Sequence, residues 1–164
     1  MELNTSNPTV KLVEYTDAHT SQLSNFYLPQ VQLEFTSLPI DKINNPSFSN
    51  SSIHVVIMSN NEPVGYFALE DGEKVLKYSD NPKAMVLTSF SINAEFQGKG
   101  LAKLGLKLLP TFVNEVSPDT NEIVLGVNKR NTAAINLYLK SGFADEKQIY
   151  EGPKGPQHVL HLVL

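Results

Sequence analysis

Residues 84–115 read AMVLTSFSINAEFQGKGLAKLGLKLLPTFVNE, and the rest of the chain is organised around this stretch. An apolar run rich in strand formers ends at Ile92, and a turn bracketed by Gly98 and Gly100 follows. From Leu101 the apolar residues recur at 101, 104, 108 and 112, a spacing that predicts one face of a helix. Strand, glycine turn and helix N-terminus together aim unpaired backbone N–H groups at one point, with the helix dipole behind them. Such a point suits an anion, phosphate above all, and the two glycines keep Cβ atoms out of its way. Pro110 inside the helical pattern predicts a kink or restart.

Two phosphate-binding patterns are excluded by inspection. A P-loop needs a hydroxyl residue after its lysine, and Lys99 is followed by Gly100. The dinucleotide pattern G-x-G-x-x-G needs glycine where Lys103 stands. Gln97, Gly100 and Ala102 instead fit Q/R-x-x-G-x-G/A at a strand–helix junction. Asn131 stands 34 positions after Gln97 and opens a second run, with Ala134, Leu137, Tyr138, Lys140, Gly142 and Phe143 fitting N-x-x-A-x-x-L-Y-x-K-x-G-F. Taken together, the two motifs resemble those of the GNAT superfamily, the acetyl-coenzyme-A-dependent N-acetyltransferases. The resemblance covers Ile53 to the C-terminus well and the first fifty residues loosely.

The resemblance implies an α/β fold of mixed α+β type, with a central, mixed, splayed sheet of about seven strands flanked by helices. Residues 1–164 would form one such domain. It implies a pyrophosphate cradle from Gln97, Gly98, Lys99, Gly100, Leu101 and Ala102. Backbone groups of Phe90, Ser91 and Ile92 would bind the pantetheine arm, with the Asn131 side chain opposite. Tyr138 would meet the departing sulfur as well as line the cofactor site. Of Lys99, Lys103 and Lys107, Lys99 is expected to reach a phosphate and the other two to form a solvated face. Asn131 also has the position of a helix cap.

The chemistry limits these roles. A phenol near pKa ~10 is a poor proton donor to a thiolate whose acid has pKa about 8.5, a mismatch of roughly 2 kcal/mol. Hydrogen bonding from Tyr138 to the developing thiolate is the role expected, unless its site lowers the phenol's pKa. An acceptor ammonium of pKa ~10.4 costs roughly 4–5 kcal/mol to present neutral at pH 7. Alternation along the central strand puts Ala84, Val86, Thr88 and Phe90 on one side, with Met85, Leu87, Ser89 and Ser91 on the other; neither holds a base. Glu34, or a water held by Thr88 or Ser89, is the candidate acceptor of that proton. The missing base also leaves open a coenzyme-A-binding module without turnover.

Composition bounds the alternatives. The chain has 164 residues, 41% hydrophobic and 18% charged, enough for one buried core and unlike a disordered chain. Its net charge of −4 argues against a nucleic-acid partner. There is no cysteine, so disulfides, thiolate metal sites and a cysteinyl acyl-enzyme are excluded, favouring direct attack by the amine. His19, His54, His158 and His161 lack metal-ligand spacing, and no metal is expected. The opening MELNTSNPTV has no leader pattern and no apolar run is long enough for a membrane span, so a cytoplasmic protein is expected.

Along the chain, Val10–Tyr15 predicts a strand and Thr16 or Asp17 the cap of a helix to about Tyr27. Pro29 and Pro39 break the following segment into short helical pieces, and Asn44–Ser52 is a loop. Ile53–Met58 and Pro63–Leu69 predict a hairpin, Asp71–Lys83 a loop or sheet extension, and Glu122–Val127 a buried strand. Phe143–Tyr150 and His158–Leu164 predict a last pair across a Gly/Pro-rich link. The acceptor, a small-molecule or peptide amine, is left open between polyamine, amino acid, aminoglycoside and protein amino terminus. The resemblance also allows a homodimer.

Overall fold

The computed structural model describes residues 8–164; most of the opening segment read above for a leader pattern, residues 1–7, lies outside these. Seven strands form one mixed sheet: β1 (Val10–Glu14), β2 (Ile53–Ser59), β3 (Glu62–Glu70), β4 (Ala84–Ile92), β5 (Glu122–Asn128), β6 (Ala144–Gly152) and β7 (Gly155–Val163). Their spatial order is β1-β2-β3-β4-β5-β7-β6. Every neighbouring pair is antiparallel except β4 and β5, which are parallel. The β2–β3 turn uses Asn60 and Asn61 at φ 50° and 67°, the left-handed conformation that asparagine tolerates and a tight hairpin needs.

Seven short helices cover the sheet: α1 (Thr20–Leu23), α2 (Gln30–Leu33), α3 (Pro39–Ile43), α4 (Glu73–Leu76), α5 (Leu101–Lys107), α6 (Leu109–Val116) and α7 (Thr132–Lys140). Under α5–α7 lies the main core, where Val55, Ile57, Phe67, Leu69, Met85, Leu87, Ile123 and Leu125 are each buried. Burying one such side chain contributes roughly 1.5–3 kcal/mol, so this layer dominates the cohesion of the fold. On the opposite face Val56 and Met58 pack with Leu23, Ile40 and Ile43, and Ala84, Val86 and Val124 pack with Val75 of α4.

Several expectations need correction. The first helix stops at Leu23, well before Tyr27. The strand end claims the next residues: Asn93 Oδ1 accepts from the Tyr27 N–H (3.0 Å), and the Ala94 N–H donates to the Tyr27 carbonyl (3.0 Å). The segment 71–83 is not all loop, since it contains α4. In α5–α6 the inward residues are Leu101, Gly105, Leu106, Leu109, Phe112 and Val113, while Leu104 and Leu108 are each 36% exposed. The cause is Gly105, where a Cβ would stand 3.3 Å from Ile57, so the helix lies close on β2 with glycine, not Leu104, against it. The helix does restart at Leu109, with Pro110 in its first turn. The Gly/Pro-rich link is only a tight hairpin turn, because Gly152 pairs with Gly155 and Glu151 with Pro156.

The alternation expected along β4 fails at Ser89. Tyr66 faces Ser91 and Ala68 faces Thr88, so Ser89 and Phe90 together oppose Phe67 alone. This is a β-bulge, and Ser89 takes a positive φ of 56° to make it. Past the bulge the side chains change face. Phe90 joins the Met85–Leu87 face and stacks on Phe67 at 5.8 Å, rather than following Thr88.

Candidate active site

β4 and β5 are joined by three residue pairs only, Ala84–Glu122, Met85–Ile123 and Val86–Val124. Beyond them the strands part, and a cavity of about 800 Å³ opens between their carboxyl-terminal halves. A crevice between the carboxyl ends of parallel strands is where α/β sheets take ligands.

One end of the cavity is the glycine turn. Gly98 and Gly100 have φ of 78° and 77°, and a Cβ on either would meet nothing within 4 Å. The backbone demands glycine there, and the space is left for something else. No backbone N–H from Gly98 to Lys103 donates to a backbone carbonyl, and the first such bond is Leu104 N–H to the Gly100 carbonyl. These unpaired donors, with the dipole of α5 behind them, are an arrangement that suits an anion. Ala102 and the buried Leu101 also line this end. Lys99 is not on the wall; its Nζ sits 5.4 Å over the Phe96 ring, and Lys103 lines the cavity instead.

Gln97 also lines the cavity, but its side chain is engaged within the protein. Its Nε2 donates to the Ile92 carbonyl (2.7 Å) and to Gln32 Oε1 (2.9 Å), while Gln32 Nε2 donates back to its Oε1 (3.0 Å). A reciprocal amide pair thus ties α2 to the glycine turn. Thr36 Oγ1 donates to the Phe90 carbonyl (3.1 Å), and the Ser37 and Ser89 hydroxyls bond to each other (3.0 Å). Residues 32–37 are therefore stitched onto the unpaired half of β4. The Phe90 and Ile92 carbonyls each keep a second lone pair for a ligand. Ser91 Oγ is buried without a partner.

Asn131 caps α7, its Oδ1 accepting from the Ala134 N–H at 3.3 Å. Tyr138 is 7% exposed, its ring edge-on to Phe90 (6.1 Å) and Phe143 (5.6 Å). It lines the cavity, and burial pushes its phenol well above the usual tyrosine range. The site does not lower this pKa; it raises it, so the hydroxyl stays a hydrogen-bond donor. Glu34, exposed at the end of α2, lines the same cavity and has no ion pair among the described residues.

The other end of the cavity contains residues that the sequence patterns do not single out. Tyr78 Oη donates to Gln157 Oε1 (2.8 Å) across Gly126, where a Cβ would come within 2.5 Å of the Tyr78 hydroxyl. Glycine inside the apolar strand EIVLGVN was the available signal, because such a glycine marks close approach. At the rim the Arg130 guanidinium lies 5.5 Å over the Phe35 ring, and Lys154 Nζ donates to the Glu34 carbonyl (3.0 Å). Thr88 Oγ1 donates to Glu70 Oε2 (2.5 Å), a carboxylate also held by Lys42 (2.9 Å) and Lys74 (2.5 Å). Burial alone would raise Glu70, but hydrogen bonds from Lys74, Thr88 and Lys42 outweigh it and hold it below the usual carboxylate range. With three donors on it, Glu70 is a structural anion and a poor base.

The model of the acetyltransferase (GNAT) family matches residues 18–143. An uncharacterized N-acetyltransferase, YbbJ of Bacillus subtilis (strain 168), is 39% identical over 153 residues, 93% of this chain and 96% of the relative. The fold is similar to aminoglycoside acetyltransferase AAC(6')-Ib in complex with coenzyme A and kanamycin, at TM-score 0.76 and 22% identity over 94% of this chain and 95% of the other. It is also similar to a chimera of the Vibrio cholerae spermidine N-acetyltransferase SpeG and hSSAT, at TM-score 0.64 and 17% identity, over 94% and 95%.

Proposed function

The chain belongs to the acetyltransferase (GNAT) family, and from that premise we propose that it moves an acetyl group from acetyl-coenzyme A directly to a primary amine. The observation that carries this is one cavity across the parted strands, with a glycine turn of unpaired N–H groups at one end and a polar pocket at the other. The free N–H groups of Gly98–Lys103, and the empty space facing Gly98 and Gly100, fit a pyrophosphate. Phe90, Ser91 and Ile92, with Asn131 opposite, would hold the pantetheine arm. Acetyl-coenzyme A supplies the activated acyl group.

The amine would enter from the Tyr78–Gln157 end and attack the thioester carbonyl, forming a C–N bond as the C–S bond breaks. Tyr138 would donate a hydrogen bond to the departing sulfur; its raised pKa makes full proton transfer unfavourable. Glu34, or water reaching it, would take the ammonium proton. With no cysteine in the chain, direct attack in a ternary complex needs no thiol intermediate.

Two measurements test this. Coenzyme A at a hundredfold excess over its dissociation constant should stabilise the protein by about 2.7 kcal/mol, read as a rise in melting temperature. Incubation of acetyl-coenzyme A with an amine panel should release free thiol. Absence of any thermal shift at millimolar coenzyme A would refute the cofactor site, and a shift without thiol release would refute the transfer.

A further inference from the structure

The charge around the amine end of the cavity narrows the acceptor class, provided that the acetyl-transfer reading holds. Arg130 and Lys154 line the rim and neither lies within ion-pair distance of a carboxylate among the described residues. Both are held instead by neutral groups. Arg130 Nε bonds Asn128 Oδ1 (3.3 Å), its Nη2 reaches the Lys154 carbonyl (3.5 Å), and Phe35 lies beneath the guanidinium. Lys154 Nζ is fixed on the Glu34 carbonyl, which uses one of its three donors. Two cations thus stand at the cavity's rim with no carboxylate paired to them among the described residues.

The opposite charge is scarce. Glu34 is the one carboxylate on the cavity wall among the described residues, and the floor is neutral, made of Tyr78, Gln157, Gly126 and Thr88. The nearest buried carboxylate, Glu70, is fully engaged by Lys42, Lys74 and Thr88. A polycation entering this rim would meet two fixed like charges and find one carboxylate. An acceptor with a negative group beside its amine would find two preorganised donors, one of them a planar fork that matches a carboxylate.

We propose that the acceptor is a small amine that also bears a carboxylate, of the α-amino-acid type, seated with its carboxylate on Arg130 and Lys154 and its amine toward Glu34 and the thioester. The test is thiol release from acetyl-coenzyme A with amino acids, their carboxamides, the corresponding decarboxylated amines, spermidine and kanamycin. The amino acid should exceed its own amide by roughly 10- to 150-fold in kcat/KM, the range of a hydrogen bond to a charged group. In Arg130→Gln and Lys154→Gln that preference should shrink toward unity, with coenzyme A affinity unchanged by calorimetry. Preference for the amide, the amine or either polycation would overturn the inference while leaving acetyl transfer intact. So would a matching loss of coenzyme A affinity in Arg130→Gln, which would assign that residue to the cofactor. Release with no amine at all, despite coenzyme A binding, would overturn the transfer reading and this inference with it.

Discussion

Tyr138→Phe separates a catalytic hydroxyl from a packed ring. The ring touches Phe90 and Phe143 edge-on at 6.1 and 5.6 Å, and phenylalanine keeps both contacts. Tyr138 lines the cavity, and its hydroxyl is not among the buried polar atoms left without a partner. Removing it should leave the melting temperature nearly unchanged. A hydrogen bond to a charged group is worth about 1.5–3 kcal/mol, so loss of a donor to the departing thiolate should lower kcat roughly 10- to 150-fold. The Michaelis constant for acetyl-coenzyme A should stay nearly constant, the pattern of an interaction made in the transition state. Because burial raises the phenol's pKa, the wild-type rate should show no tyrosine limb on the alkaline side below pH ~10. Steady-state thiol release and thermal melts of both proteins decide it. Turnover within twofold of wild type, or a fall of several degrees in melting temperature with a raised Michaelis constant, would make Tyr138 a packing residue.

Three more perturbations probe the frame around it. Glu70→Gln leaves Lys42 buried without its counter-charge and should cost about 3 kcal/mol, seen as a lower melting temperature. Since the folded carboxylate titrates below its ordinary 4.5, its stabilisation is complete above that value and disappears as pH falls through the folded pKa; Glu70→Gln should lose that acid-sensitive component, and an unchanged acid limb would contradict the assignment. Gly100→Val forces a branched residue to φ 77° and fills the ligand's approach, so coenzyme A affinity should fall at least about tenfold while Lys107→Ala leaves it unchanged; equal losses in calorimetry would mean that charge, not the turn, holds the anion. Gln32→Leu removes the amide pair at about 1 kcal/mol per hydrogen bond and, by loosening the glycine turn, should raise the cofactor's Michaelis constant; an unchanged cofactor constant would contradict a functional link between α2 and the turn.

The frame was legible wherever local pattern and geometry agree. Glycines at 98 and 100 can be read from sequence because only glycine takes those φ values freely, and the apolar runs at 53–58, 84–92 and 122–127 become β2, β4 and β5. The fold class followed from the two motifs. The bulge was hidden because Ser89 has no preference for a positive φ; tertiary contacts, including the bond from Ser37, hold it there. Glu70 was hidden for a related reason. It ends an apolar strand, and its partners Lys42, Lys74 and Thr88 come from three other parts of the chain. Tyr78 and Lys154 sit in polar, turn-rich segments whose neighbours only the folded chain supplies. Periodicity misassigned Leu104 because it does not report that Gly105 lets the helix settle against Ile57.

The parting of β4 from β5 has a consequence beyond making room. A sheet ordinarily has two edges, and an exposed edge invites another polypeptide to add itself as a strand. This sheet has those two, at β1 and β6, and a pair of inner edges along Leu87–Ile92 and Leu125–Asn128. The inner pair is walled by residues 32–37 on one side and α7 on the other, so a passing chain cannot lie down along it. Only a slender molecule can enter, and one that carries amides of its own can pair with these strands as a peptide would. The protein thereby keeps the binding capacity of an open edge while avoiding the aggregation that such an edge ordinarily risks.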